Sequence, residues 1–434
     1  DLIKAYHEKL APVSISSTEK DESSSGDVTT LEILRNGGVL SSLSTFGYTE
    51  RKEQIAFSQK IDECMSSSKP YVLEAGTGIG KTIGYLVPSL LSKNKTYIAT
   101  HTKALQDQAW FKDIPVIFNA LSHIGLKKTA TIIKGKSNYI CLQSFTDVLD
   151  SIDEHVESPN DGYFLASVLH WLLITKTGWL SEIEHLGNWE LSRLLSRDMA
   201  PPSLRREWSD IDPYNKAKEL ASKADLVVAN HSYVVLISQS AEQHIVEGHD
   251  TLIVDEAHNF ENVVTEVLTK HFKPFELQGE LNSLLKRDKK NKIQGLLRPL
   301  TEHKEKDSNK LIKAFNEALF EYEVTLNSWC EKALKRLKDL LSNISDADPD
   351  YPIPFEIGDF WISTLFEDAK MLSESITKLS NKIRKLLEAF QTLSSIPAKL
   401  HGSLSSFEQR LNENNTGLSD LFEKKSDWAH WGEA

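Results

Sequence analysis

The stretch Ala75-Gly76-Thr77-Gly78-Ile79-Gly80-Lys81-Thr82 constrains this chain more than any other. It lies between the apolar triplet Tyr71-Val72-Leu73 and an apolar helical stretch ending near Leu91. Three glycines let successive backbone N–H groups face one point, and the helix that follows adds its positive dipole end there. A polyphosphate fits that concavity. Gly76, Thr77, Gly78, Ile79 and Gly80 would form the cradle, Lys81 would reach the β- and γ-phosphates, and the Thr82 hydroxyl would ligate Mg²⁺. The strict pattern opens on glycine, whereas this stretch opens on Ala75 and keeps the final glycine, lysine and threonine. The layout predicts a strand over Tyr71-Val72-Leu73, a loop, and then a helix.

A phosphate loop needs an acidic strand end beside it, and Leu252-Ile253-Val254-Asp255-Glu256-Ala257-His258 supplies one. The apolar residues bury the strand and the carboxylates emerge at its tip. Asp255 would hold Mg²⁺ and Glu256 would orient or deprotonate the attacking water. His258 would couple the γ-phosphate state to neighbouring motifs. Further strands are expected at Thr96–Thr100 and at Leu226-Val227-Val228-Ala229, with helical material between them. That alternation implies an α/β fold with a parallel sheet.

At about 150 residues per domain, 434 residues predict roughly three domains. Apolar residues make up 40 % and charged residues 26 %, which excludes collagen, rod-like coiled coils and bulk disorder. No run approaches the ~18 apolar residues of a membrane span, and no secretory leader is recognisable, so a cytoplasmic location with no membrane partner is expected. The net charge of −12 argues against nucleic-acid binding by bulk positive charge but leaves room for a local channel. Residues 1–29 read as a flexible leader, with structure beginning near Thr30. Trp171, Trp179, Trp189 and Trp208, with Pro201-Pro202, mark a segment where the strand–helix alternation lapses. Beyond Phe260, two long stripes recur at three- or four-residue spacing: Leu311, Phe315, Leu319, Tyr322, Leu326, Trp329, Ala333, Leu337 and Leu341, then Ile362, Leu365, Ala369, Leu372, Ile376, Leu379, Ile383, Leu386 and Phe390. Separated by the breaker Asp348-Pro349-Asp350-Tyr351-Pro352, they predict an antiparallel pair of long helices. A dimerising coiled coil is the alternative.

Together these motifs resemble superfamily 2 helicases, and within them the XPD/DinG-like family. Phe46-Gly47-Tyr48-Thr49-Glu50-Arg51-Lys52-Glu53-Gln54 is similar to the family's opening, which implies that Gln54 reads the adenine edge with Arg51 nearby. The phosphate loop led by Glu74-Ala75 matches closely. Thr100-His101-Thr102-Lys103-Ala104-Leu105-Gln106-Asp107-Gln108 looks like motif Ia, a turn that contacts the DNA strand. Lys134-Gly135-Lys136-Ser137-Asn138-Tyr139-Ile140-Cys141 and Ala224-Asp225-Leu226-Val227-Val228-Ala229-Asn230-His231 resemble the segments that open and close the family's iron–sulfur domain.

The resemblance implies a RecA-like helicase domain 1 over 30–133 and 225–262, and an inserted, mostly helical domain over 134–224. A helical Arch-like domain over 263–427 and a return toward domain 1 over 428–434 complete the expected layout. Four thiolates hold the family's cluster, whereas only Cys141 lies between the opening and closing segments here, the other cysteines being Cys64 and Cys330. No iron–sulfur cluster is expected. Candidate DNA contacts are Thr102, Lys103 and Gln106 in the turn, and Lys134, Lys136 and Tyr139 at the mouth of the insertion. The basic run Lys286-Arg287-Asp288-Lys289-Lys290-Asn291-Lys292 is a further candidate. The chain starts at Asp1, stops at Ala434 and reaches no arginine-finger motif, so it reads as the N-terminal portion of a longer protein. The function implied is an ATP- and Mg²⁺-dependent DNA helicase moving 5′ to 3′ on single-stranded or forked DNA in the bacterial cytosol or nucleoid, with a repair, replication or CRISPR-associated partner. A nucleotide-gated binding module without unwinding, and more remotely a small-molecule kinase, are the alternatives.

Overall fold

The computed structural model of the protein describes residues 14–16, 28–43, 47–67, 69–150, 152, 156, 158–200, 204, 206–240, 248–286, 293, 297, 309–341, 354–356, 360–390, 398–422 and 431–433. Phe46, Pro201-Pro202, the 287–292 part of the basic run and the 348–352 breaker lie outside them, as does the side chain of Trp189. The described residues fall into two compact units, one within 1–146 and 158–268, the other within 147–157 and 269–434.

The first unit is an α/β layer built on one sheet, with strand order β1-β3-β4-β2-β5. Its strands are β1 (Ser14–Ser16), β2 (Thr96–Thr100), β3 (Thr129–Ile132), β4 (Leu226–Asn230) and β5 (Thr251–Val254). The last four run parallel. Residues 14–16, inside the expected leader, instead add an antiparallel strand in register with Thr129–Thr131. All five residues of β2 are buried, as are the first four of β4, and their β-branched and apolar character suits a strand covered on both faces. Strand β3 escaped the sequence reading because Thr-Ala-Thr-Ile is short and half polar.

Tyr71-Val72-Leu73 does not form the predicted strand. The triplet is exposed, Val72 to 94 %, and no described strand pairs with it. An apolar triplet becomes a strand only where a neighbouring ladder takes its N–H and C=O groups. Strand β5, at the outer edge of the described sheet, leaves Leu252 46 % exposed.

Helix α1 (Thr30–Leu34) begins where expected, because Thr29 and Glu32 form a reciprocal capping box. Then come α2 (Lys52–Met65), α3 (Lys81–Leu91), α4 (Lys103–Gln108), α5 (Ile114–His123), α6 (Pro159–Leu172), α7 (Pro213–Lys223), α8 (His231–Ser238) and α9 (Phe260–Leu268). The 134–224 segment packs in the same unit as the sheet. Trp171 and Trp179 are buried in it, and the Trp171 indole donates to Glu182 at 2.6 Å. Arg197 and Asp212 form a buried ion pair at 3.4 Å. Cys141 is fully buried, with its sulfur accepting from the Ser144 N–H at 3.4 Å.

The second unit is a helical bundle of α10 (Pro274–Leu285), α11 (Asn309–Leu341), α12 (Ser363–Phe390) and α13 (Ala398–Phe422). The first apolar stripe falls on α11 and the second, from Leu365 onward, on α12, where every stripe residue from Leu365 to Leu386 is buried; Ile362 precedes the helix and is 46 % exposed. Contacts Lys332–Asp368, Thr325–Ser375 and Glu321–Lys378 fix α11 and α12 as antiparallel. A third long helix, α13, packs on α12 through Ser380, Arg384 and Glu408 and was not anticipated. Strand β7 (Trp431–Glu433) pairs with β6 (Pro354–Glu356) inside this unit.

Candidate functional site

The site lies at the carboxyl ends of the parallel strands, where helix N-termini and strand tips converge. Gly78 and Gly80 sit at φ +78° and +85°, a region that disfavours residues carrying a Cβ. A Cβ on Gly80 would crowd Gln54 Nε2 and force that amide to shift, in addition to the strain of the positive φ. Gly80 caps α3 with no side-chain bond, leaving the first N–H groups of that helix for an anion. Lys81 at the first helical position reaches across to Glu256, Nζ to Oε1 3.0 Å.

Asp255 and Glu256 emerge from β5. The Asp255 N–H donates to the Ala99 carbonyl at 2.9 Å, extending the ladder with β2 by one bond. Its carboxylate is held from two sides: the Glu256 N–H donates to Oδ1 at 3.0 Å, and the buried Tyr85 hydroxyl donates to Oδ2 at 3.1 Å. Glu256 has φ +52°, a left-handed conformation that costs a non-glycine residue on the order of 1 kcal/mol and concentrates at functional sites. The hydrogen bond from Lys81 holds the Glu256 carboxyl below its ordinary pKa against the opposing effect of burial. His258 is largely exposed, with Nδ1 3.5 Å from Glu256 Oε2.

Gln54 and Arg51 both face the phosphate loop. Gln54 is buried, donating from Nε2 to the Gly80 carbonyl at 2.8 Å and accepting from the Tyr48 hydroxyl at 2.8 Å. Arg51 donates to the Gly78 carbonyl at 2.7 Å. Through these two bonds Gln54 braces the loop in this geometry.

The candidate DNA contacts divide. Thr102 and Lys103 are exposed at the start of α4, where the Thr102 hydroxyl accepts from the Leu105 N–H as an N-cap. Lys136 is exposed as well. Gln106, Lys134 and Tyr139 are corrections to the sequence reading. Gln106 is fully buried and donates to the Ile133 and Val228 carbonyls at 2.7 and 3.1 Å. Lys134 is 4 % exposed, pairs with Asp107 at 2.8 Å and lies 3.9 Å from the centre of the Trp179 ring. Tyr139 is 1 % exposed and its oxygen accepts from the Lys134 N–H. Burial on the sheet side of α4 and beneath the insertion takes these three away from any strand passing over the surface.

Tyr48, Tyr85 and His231 escaped the sequence reading as site residues. Tyr85 stands four positions after Lys81, one helical turn along the same face, which is the signal that could have found it. His231 follows β4 directly, and the strand-end rule points to it. Its ring is fully buried, and Nε2 lies 2.8 Å from the Asp255 carbonyl, to which only a protonated nitrogen can bond. Burial pushes the pKa of the ring below the ordinary histidine value.

The parallel sheet, the glycine-rich loop and the acidic strand end have the layout of a P-loop domain of RecA-like α/β fold. Residues 205–277 match the DEAD_2 family. The chain is 33 % identical over 246 residues to the 3′-5′ exonuclease DinG of Bacillus subtilis strain 168, covering 55 % of this chain and 25 % of that protein. It is 31 % identical over 229 residues to the ATP-dependent DNA helicase YoaA of Escherichia coli K12, covering 51 % and 35 %. Against the 3′-5′ exonuclease DinG of Staphylococcus aureus USA300 it is 24 % identical over 387 residues, covering 86 % and 41 %. The chain is thus similar to DinG and YoaA proteins and spans between a quarter and about two fifths of these relatives' lengths.

Proposed function

We propose that the protein couples ATP hydrolysis to translocation along single-stranded DNA and to duplex unwinding, with residues 1–434 supplying the nucleotide cradle. The observation that carries this reading is the Lys81–Glu256 pair at 3.0 Å, which joins the phosphate loop to the acidic strand end in one site. In the arrangement described, each group neutralises the other. A polyphosphate gives Lys81 a stronger anionic partner and frees Glu256 to orient a water and accept its proton. Thr82 and Asp255 offer hard oxygen donors on either side of Tyr85, a set that fits Mg²⁺. Bound there, Mg²⁺ would neutralise phosphate charge. Asp255 stays oriented by Tyr85 and the Glu256 N–H, while Gln54 and Arg51 hold the loop open at Gly80 and Gly78.

Thr102, Lys103 and Lys136 remain the DNA contacts in this reading, by exposure and place, and 5′ to 3′ movement is the direction the family resemblance implies. A bacterial cytosolic location, and forked DNA with a repair, replication or CRISPR-associated partner, complete the proposal. The test uses the full-length protein. Single-stranded DNA should stimulate its ATPase. Lys81→Ala should abolish nucleotide binding, whereas Glu256→Gln should retain binding and lose about 10²-fold or more in turnover. Strand displacement on 5′-tailed but not 3′-tailed duplexes is the expected polarity. An ATPase indifferent to DNA would overturn the reading.

A further inference from the structure

Three strand tips meet around one buried ring. His231 opens α8 directly after β4, its Nε2 donates to the backbone carbonyl of Asp255 at the tip of β5, and its ring packs against His101 just beyond the tip of β2. The His101 and His231 ring centroids are 5.7 Å apart. On another side the Phe260 ring meets His231 edge-on at 5.1 Å, at the start of the helix that follows Glu256. His101 is also the residue before Thr102 and Lys103, the exposed turn assigned to DNA. Ala99, two residues before His101, accepts the Asp255 N–H at 2.9 Å. The Asp255 backbone is therefore tied at its N–H to the strand that carries the turn, and at its C=O to a ring packed on the turn.

We propose that His231 is the positioning residue that couples the His101–Lys103 turn to the Asp255–Glu256 strand end. The ring is fully buried, so movement of His101 has no solvent gap in which to dissipate, and close-packed interiors transmit such shifts. A displacement of the turn moves the ring, and the hydrogen bond carries that movement to the peptide joining Asp255 to Glu256. Glu256 already holds a left-handed backbone, a conformation with a nearby alternative, so a small push at this peptide reorients its carboxylate. This inference rests on the DNA-motor reading above and deepens it by naming how the two ligands sense one another.

Coupling between two ligands is measured as the factor by which one changes the affinity of the other, and it is reciprocal. In the full-length protein, oligothymidine should tighten binding of the non-hydrolysable analogue AMP-PNP by about fivefold or more. His231→Leu should bring that factor to about one. His231→Gln places an amide N–H where Nε2–H stood and should restore the coupling. His101→Ala, outside the buried core, should lower the factor as well and serves where His231→Leu does not fold. Retained coupling in His231→Leu, or loss of coupling in His231→Gln equal to that in His231→Leu, overturns the proposal. Failure of the native protein to bind oligothymidine would instead refute the DNA-motor reading, and it is seen before any variant is made.

Discussion

Lys134 and Lys136 stand two positions apart in one basic segment and have opposite fates. Lys134 is enclosed by Asp107 and the face of Trp179, so its charge is already spent inside the protein, whereas Lys136 is free to meet solvent. Each lysine that neutralises a phosphate of single-stranded DNA contributes about 0.7 to the slope of log affinity against log salt. Lys103→Ala and Lys136→Ala should therefore each flatten that slope by roughly this amount. Lys134→Met should leave it unchanged, and a salt titration of oligothymidine binding checks all three. Residue identities and spacing made the cradle legible because glycine, lysine and acid have few substitutes where backbone must approach phosphate. The fate of a lysine in a polar segment depends on which aromatic ring the fold brings over it, and spacing carries no trace of that.

Helices α11 and α12 were legible as elements because a stripe repeating every three or four residues has one physical solution, a buried seam. Leu379 lies fully buried in that seam, and Leu379→Ala should lower stability by about 2 to 5 kcal/mol in denaturant unfolding. Helix α13 was harder to see because part of its attachment to α12 is polar. Burial raises the pKa of Glu408, and hydrogen bonds from Ser380, Arg384 and Asn412 outweigh that effect to leave it lowered. A carboxyl depressed in the folded state contributes stability above its unfolded pKa of about 4.3 and loses it as pH falls through the folded value. Glu408→Gln should thus be less stable than the native protein near neutral pH by about 1 kcal/mol or more, with the two converging in acid. Unfolding followed across that range checks the sign. The triplet Tyr71-Val72-Leu73 shows the opposite limit: local apolarity proposes a strand, but only a partner ladder makes one.

At the scale of the molecule, the two compact units have separate apolar cores, one around the sheet and one along the helical seam. A chain with two cores departs from two-state unfolding. Calorimetry should resolve more than one transition: AMP-PNP should raise the one belonging to the sheet unit, since a ligand stabilises what it binds by mass action, and Leu379→Ala should lower the other. The sequence by itself determined the glycine-rich loop, the acidic strand end, the parallel strands β2, β4 and β5 and the two apolar stripes. Each rests on interactions between near neighbours or on a strict period. Only the tertiary structure decided that Gln106, Lys134 and Tyr139 turn inward, that Gln54 braces the loop, that residues 14–16 join the sheet, and that His231 lies under Asp255. Those outcomes depend on contacts between residues distant in the chain, where the polar atom that satisfies a buried group is chosen by packing and leaves no local pattern.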